Sequence, residues 1–470
     1  MSFRRDVISI QLTTLLNVLA GFIYFPILAR VFQFPPETFG QFQFINSITT
    51  IVMSFALLSL DLAFISDREV QNKEQTAVAF STMLLLGISI FGLSAFILFG
   101  FQVLNLIKIE KHFIVYIFLA GICLELERVL YSLFREKKEF SHVAKARVII
   151  TISHPVAGCF LAFFMKNAYV LLIAFALSHL IGAFYYLKIA KQKGILPVWI
   201  FDIRRSKDFL VNNLNTVIFQ TPSGLFRTIY GNLPVLLIRK VFSTDVLGFY
   251  SLSMRVLGTT NRLMSQGLYE TFLPYVAKSE RNRESALRYF PIICSIFFLP
   301  FFAASFLSSW YVRLLFGESY LFVSEIIKIM GPFYFTQAAV GPYLGFILIY
   351  RRSELNLTIN LLGIALQTGL FYLGRMFLGL SGAIFSICIG GIIVEQSLLM
   401  IATSLSGQSV RKVCLSLLPY QLILFAVPMG LVSLSLAPVL LIPSLYVVFK
   451  NREILFRKHK QMPPSGKTTD

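Results

Sequence analysis

Apolar residues run through this chain in long, nearly uncharged blocks. The half-polar alternation of a soluble globule is missing. Val78 to Ile107 contains no Asp, Glu, Lys or Arg, and neither does Tyr289 to Val312. Val413 to Phe449 is uncharged for 37 residues, room for two short crossings with a break near Ser433–Pro438. A helix needs about 20 mostly apolar residues to cross a bilayer. Applied along the chain, that rule predicts about fourteen helices. They fall near 8–30, 41–66, 78–104, 113–134, 147–165, 168–189, 211–238, 246–275, 289–312, 322–349, 356–376, 380–404, 413–431 and 436–450. The breaks between them are short. The longest, Lys188 to Leu210, leaves no room for a separate extramembrane domain.

Composition agrees. Of 470 residues only 14% are charged and 56% are hydrophobic, with 48 Phe, which excludes an ordinary soluble enzyme and a disordered chain. The net charge of +19 resembles a nucleic-acid signal. It sits in the hydrophilic breaks, however, where it fits cytoplasmic loops against anionic lipid, so no nucleic-acid partner is expected. With an even number of spans, both ends share one side. If that side is cytoplasmic, 29 of the 42 Lys and Arg fall in inner loops and tails and 8 in outer ones. The imbalance predicts a multi-pass protein of the cell inner membrane with both termini inside. Arg4-Arg5 leads into a span-length apolar run with no small-residue cleavage site, so no cleavable signal is expected. The five Cys lie inside apolar segments without a CxxC pair and read as small buried hydrophobes.

The chain carries an internal repeat. Pro26 to Gly40 lies on Pro234 to Gly248 at an offset of 208 residues without a gap, matching Pro26/Pro234, Leu28/Leu236, Phe34/Phe242 and Gly40/Gly248. Chance likeness between two apolar stretches is the competing explanation, but both copies fall at the same turn of the independently drawn span map. Each closes the first helix of a six-helix block and opens the second. Six-span repeats have the same orientation and are related by an axis along the membrane normal. The expected organisation is an N-terminal six-helix lobe over 1–208, a C-terminal one over 209–404, and two further helices with a basic tail over 405–470.

Five cations lie within predicted spans: Arg128, Arg227, Arg255, Arg262 and Lys328. A central Arg costs at least ~2.5–3.5 kcal/mol, so such residues face a bundle interior, a partner or an aqueous cavity. Glu125/Arg128 and Glu325/Lys328 have the i,i+3 spacing of local pairs. Arg227, Arg255 and Arg262 have no such neighbour. They sit on polar stripes of helical period: Asn213, Thr216, Gln220, Ser223, Arg227 and Tyr230, then Ser251, Arg255, Thr259, Arg262, Gln266 and Tyr269. Pro222, Gly224 and Pro234 interrupt the first of these two spans. A weaker stripe in the first two spans includes Asn17.

Two readings stay open: a water-filled cationic cavity for an anionic substrate, with Gln220, Gln266 and Asn17 among its polar lining, or structural pairing with in-span acids. Guanidinium binds phosphate oxygens bidentately. Each close contact is worth roughly 4 kcal/mol of Coulomb energy at an effective dielectric near 20, before desolvation. Glu395 and Asp61 are candidate ion-coupling acids. The five His show no metal-ligand spacing and no Walker A motif is present, so neither a metal, nor another cofactor, nor ATP hydrolysis is expected.

These features resemble a known family. The two proline-to-glycine turns, the run Phe249-Tyr250-Ser-Leu-Ser-Met-Arg255, Leu315-Phe316-Gly317-Glu-Ser-Tyr320 and Gly379-Leu-Ser-Gly382-Ala383 occur in order along nearly the whole chain. Together they resemble the Wzx-type polysaccharide flippases of the multidrug/oligosaccharidyl-lipid/polysaccharide exporter superfamily. The resemblance implies two six-helix lobes around a central cavity plus two helices. It also implies transfer of polyprenyl-diphosphate-linked oligosaccharide to the outer leaflet for O-antigen or capsule synthesis, alongside polysaccharide polymerase machinery. The family has no rigid site signature, so the three arginines rest on the physical argument alone. A drug/cation antiporter of the same superfamily is the first rival and would want central acids. A membrane polymerase or glycosyltransferase is the second and would want a larger outer loop.

Overall fold

The computed structural model describes most of residues 20–432 together with Val447; the longest internal breaks within 20–432 are 65–72, 104–109, 270–275 and 277–285. Among the described residues the chain is helical and contains no strand. Asn17, the start of the first predicted span and the predicted span at 436–450 lie outside the described residues.

The first helix, α1, covers Ala20–Val31 and ends in a π-helical turn, Ile27–Val31. It is followed by α2 (Pro36–Ala56), α3 (Lys73–Val103), α4 (Lys111–Glu136), α5 (Phe140–Ala162) and α6 (Ala168–Gln192). Then come α7 (Ile203–Asn212), α8 (Thr221–Val241), α9 (Thr244–Asn261), α10 (Phe290–Phe306), α11 (Ser308–Leu315) and α12 (Leu321–Val340). The short α13 (Gly345–Ile349), the long α14 (Ser353–Leu405) and α15 (Val410–Ala426) complete the described set. By length and composition α3, α5, α6 and α14 are each able to cross a membrane, and α10 with α11, bent by 62°, is either a broken span or a re-entrant loop. The protein is therefore a multi-pass membrane protein. Its outward side chains agree: Phe96, Phe163, Phe164, Met376 and Phe377 are exposed, as expected where the surrounding solvent is lipid.

The long α14 is two antiparallel helices joined at one residue. Gly379 has φ 61° and ψ −136° inside an otherwise helical run, a conformation open to glycine and costly for other residues. Past that reversal, Gly374 faces Gly382, Gln367 faces Gly390, and Gly363 faces Val394, the register of a tight hairpin. The spans predicted at 356–376 and 380–404 are its two arms.

Several predicted boundaries change, three of them for a clear physical reason. α2 begins at Pro36, five residues before the predicted start, because proline is favoured at a first helical position. The break between Lys188 and Leu210 contains α7, an amphipathic helix that apolar run length cannot reveal. Asp202 caps it, accepting from the Arg204 and Arg205 amides at 2.9 and 3.1 Å. The third change concerns α8. Pro222 starts it rather than interrupting it, and the irregularity lies upstream in a π-helical turn, Thr216–Gln220.

The two copies of the repeat meet each other. A Cβ at Gly40 would strike the backbone of Thr244 and Gly248, and one at Gly248 would strike the Pro36 carbonyl. Pro36 and Gly40 correspond to Thr244 and Gly248 under the 208-residue offset, so the contact is reciprocal, as a local two-fold axis requires. The Ser251 hydroxyl donates to the Phe39 carbonyl at 3.4 Å and Arg255 donates to Gln43 at 3.3 Å. Both contacts span 212 residues, a constant offset that makes α2 and α9 parallel. The same end of the bundle is tied by Arg30 donating to the Leu314 carbonyl and Tyr320 donating to the Phe34 carbonyl.

This junction makes a stability prediction. Gly40→Ala places a methyl against backbone that cannot swing aside, and overpacking of this kind costs roughly 1–3 kcal/mol. The purified variant is expected to melt several degrees below wild type. Gly369→Ala, where an added Cβ meets nothing, is expected to show no loss. Equal melting curves for Gly40→Ala and wild type would remove the junction from the forces holding α2 to α9.

Candidate functional site

The in-span cations divide into two groups. Lys328 pairs with Glu325 at 3.3 Å, as the i,i+3 spacing predicts. Arg128 does not pair with Glu125. Its Nη2 and Nε reach Asp61 at 2.9 and 3.1 Å, and Nη1 donates to the Met53 carbonyl at 3.3 Å. Asp61 wins because it comes from a different stretch of chain and meets the guanidinium side on, with two donors on one oxygen. Glu125 is buried beneath Gly87, and neither of its oxygens has a hydrogen-bond partner.

The second group is Arg227, Arg255 and Arg262. None of the ion pairs among the described residues includes them. Arg227 and Arg262 are exposed, and none of the three is neutralised by an adjacent acid of its own helix. Arg255 is held differently. Its guanidinium lies 3.9 Å from the ring centre of Phe25 and 5.0 Å from that of Phe42, it donates to Gln43, and its Nε has no partner. In this conformation Arg255 clamps α9 onto α1 and α2 rather than pointing into open space. Arg262 is near enough for the two guanidinium groups to repel, and it also lies near the phenol of Tyr334.

Arg227 projects into a cavity of about 540 Å³ between α8, α9, α12 and the α14 hairpin. Tyr230, Gly231 and Pro234 follow it along the same face of α8, at intervals of three, four and seven residues. From α9 come Tyr250 and Asn261, from α12 Phe333, Tyr334 and Gln337, and from α14 Asn356, Asn360, Gln367 and Glu395. Glu395, only 5% exposed, is acted on by the Arg227 charge and lies beside the Gln337 amide, while its Oε2 has no hydrogen-bond partner. Asn261 donates to Gln337 at 2.6 Å, Asn356 to Ser223 at 3.0 Å and Asn360 to the Asn356 side chain at 3.1 Å. A polar cavity of this kind inside an apolar bundle concentrates any ligand that brings its own hydrogen-bonding groups.

The structure brings Arg227 and Glu395 together in this cavity and places Arg262 near the lining residue Tyr334. Gln220 ends the π-helical turn before α8, and Gln266 ends the π-helical turn Arg262–Gln266 that prolongs α9. Gln220 is not among the described residues that line the cavity, and the Gln266 side chain lies outside the described residues. Among the described residues no cluster of His, Cys, Asp and Glu has the makings of a metal site. Asn356, Asn360 and Gln367 escape the sequence reading. Their spacings of four and seven on an apolar span form the same kind of polar stripe that singles out Arg227, so the signal was present.

Comparison with known proteins agrees with this architecture. The family described as "Polysaccharide biosynthesis protein" matches residues 27–325. An uncharacterized membrane protein in the cps region of Klebsiella pneumoniae is 21% identical over 400 residues, covering 80% of this chain and 78% of that protein. The lipid II flippase MurJ in an inward closed conformation superposes with TM-score 0.68 at 14% identity, covering 96% of this chain and 98% of that one. An inward-facing multidrug resistance MATE family transporter of the MOP superfamily gives 0.66 at 13% identity, covering 87% and 98%. Those two likenesses establish the fold, while the family match spans well over half of the sequence and takes in the second repeat turn and all of the first but Pro26. The chain thus belongs to the polysaccharide biosynthesis protein family, and its resemblance to the Wzx-type flippases holds.

Proposed function

We propose that the protein is a flippase, not an enzyme, and that it carries polyprenyl-diphosphate-linked oligosaccharide across the cell inner membrane for O-antigen or capsule synthesis. The observation that carries this reading is the trio Arg227, Arg255 and Arg262, guanidinium groups inside the bundle without an ion-pair partner among the described residues. A charge held at that depth is costly, and a diphosphate supplies the missing counter-charge through bidentate contacts. The family match supports a role in polysaccharide synthesis, and the shared fold supports alternating access.

The arrangement is two six-helix lobes, 1–208 and 209–404, about the axis implied by the reciprocal Gly40/Gly248 contact, with 405–470 adding helices to make about fourteen spans and a basic cytoplasmic tail. Both termini are cytoplasmic by the distribution of Lys and Arg. The diphosphate docks on the C-terminal lobe, where the unpaired arginines are, and the polyprenyl tail stays in lipid. Arg255 exchanges its aromatic contacts for phosphate when α2 and α9 separate. Asp61 is already committed to Arg128, so ion coupling falls to Glu395. A drug/cation antiporter fits less well, since Arg227 repels a cationic ligand, although Glu395 is an acid inside the cavity.

Two outcomes test this. In proteoliposomes carrying labelled lipid-linked oligosaccharide, wild type is expected to flip the lipid. Arg262→Ala is expected to slow flipping at least tenfold, the loss of about one charge-assisted contact. No transport by wild type would defeat the function; undiminished transport by Arg262→Ala would defeat the site. Glu395→Gln is expected to slow flipping and flatten its dependence on pH, and a variant matching wild type at every pH would remove the coupling role.

A further inference from the structure

We propose that α7 and the linker before it form a strap that lies in the membrane surface and binds anionic phospholipid headgroups. The depth of the strap is set by α3. The charge-free run of that helix begins at Val78, and Glu74 precedes it by one turn. Arg205 pairs with Glu74, while the next residue, Ser206, accepts from the Thr82 hydroxyl at 2.8 Å. In the linker, the Ile200 amide donates to the Ser81 hydroxyl at 3.2 Å. Glu74 and Thr82 are about 12 Å apart along α3 at the usual helical rise. Adjacent residues of α7 thus grip α3 on both sides of the point where its charges stop. In a bilayer that point is where headgroups meet hydrocarbon.

The two faces of α7 have different neighbours. Phe209 and Leu210 pack against a buried cluster that includes Phe80, Leu130 and Tyr186. On the other side Ile203, Lys207, Val211 and Leu214 recur at intervals of four, four and three residues, and all are exposed. Ile203 is 72% exposed, and Trp199 in the linker 53%. An apolar stripe open to this degree marks a contact surface.

The cations beside the stripe identify what it contacts. Arg204 and Lys207 stand on α7, and Lys188 and Lys191 on the last turns of α6. All four are exposed, and none has an ion-pair partner among the described residues. Against them α7 itself sets a single acid, Asp208. Basic residues interleaved with apolar ones, next to a Trp, are the composition of a helix lying on an anionic bilayer. Their stems cover the acyl boundary and their charges reach the phosphates. The bilayer is also the neighbour already at hand, since Leu93 and Phe96 face outward further along α3. The boundary between the two proposed lobes, 208/209, falls inside α7, and the turn Thr216–Gln220 leads from there into α8. Headgroups bound to α7 therefore hold the covalent joint between the halves at the membrane surface.

The two tryptophans make this measurable, because Trp310→Phe leaves Trp199 as the sole reporter. The full-length protein is placed in nanodiscs of phosphatidylcholine with a minor share of phosphatidylglycerol. Lipid brominated near the headgroup end of its acyl chain is expected to quench Trp199 more than lipid brominated near the methyl end, and aqueous acrylamide is expected to quench it weakly. Quenching strongest from the methyl end, or by acrylamide alone, overturns the position of the strap.

Energy transfer from Trp199 to acyl-labelled dansyl lipids at equal density then tests the headgroup. A basic residue at an anionic surface favours it roughly fivefold before screening by salt. Phosphatidylglycerol is accordingly expected to be enriched around Trp199 at least about threefold over phosphatidylcholine. Replacing both Arg204→Gln and Lys207→Gln is expected to bring that ratio close to one. Quenching by brominated lipid is expected to stay unchanged in the double variant, showing that the helix is still folded and seated. Equal transfer from both lipids in wild type, or a preference retained in full by the double variant, overturns the headgroup site.

Discussion

A guanidinium cannot shed its proton to escape a low-dielectric interior, so every arginine inside this bundle must have its charge met by something. Arg128 is met by Asp61. Arg255 is met in part by the faces of Phe25 and Phe42 and by the Gln43 amide. Arg227 and Arg262 face open space. A graded series of this kind is informative, because a charge buried without a partner costs the fold more than one paired with an acid. In the function proposed above, the unpaired cations on two of the helices around this polar cavity are the groups that meet a ligand's negative charge.

In the proposed function such charges serve only if the bundle moves, and the α2–α9 junction is where the two copies of the repeat touch. The close approach of Gly40 and Gly248 lets two backbones touch without interlocking side chains. The bonds across it, Ser251 to Phe39 at 3.4 Å and Arg255 to Gln43 at 3.3 Å, are long. Hydrogen bonds of this length are weak, and a cation–π contact contributes roughly 0.5–2 kcal/mol depending on desolvation.

How far the sequence foretold this depends on the range of each interaction. Span positions follow from local apolar length, and the hairpin at Gly379 and the repeat turns follow from glycine and proline, so both were readable in advance. Pairing across the bundle was not. Arg128 and Asp61 lie 67 residues apart, whereas Glu125 is three residues away, and one chain gives no means of ranking a distant partner above a near one. The same limit hid the position of Arg255: the stripe on α9 is real, but Ser251 and Arg255 turn toward α2 while Asn261 and Tyr269 turn toward the cavity. Periodicity identifies a polar face without saying what it faces. The amphipathic α7 was missed for the converse reason, since a helix lying outside the apolar core leaves no run of hydrophobic residues to count.

The location of the cavity within the repeat sharpens the argument. Duplication at an offset of 208 residues makes Arg255 the counterpart of Ser47, which is buried, and Arg227 the counterpart of Leu19, an apolar residue. The backbone contact at the axis is reciprocal, while Arg227 and Arg255 have no charged counterpart in the first repeat. Symmetry is needed where two halves pivot against each other, because both surfaces take the same strain. It is a handicap where a lipid headgroup is held, because a diphosphate joined to one glycan is itself asymmetric, and a second cationic pocket would compete for the same charge. A symmetric contact beside an asymmetric cavity fits the function proposed above, a carrier of one headgroup at a time.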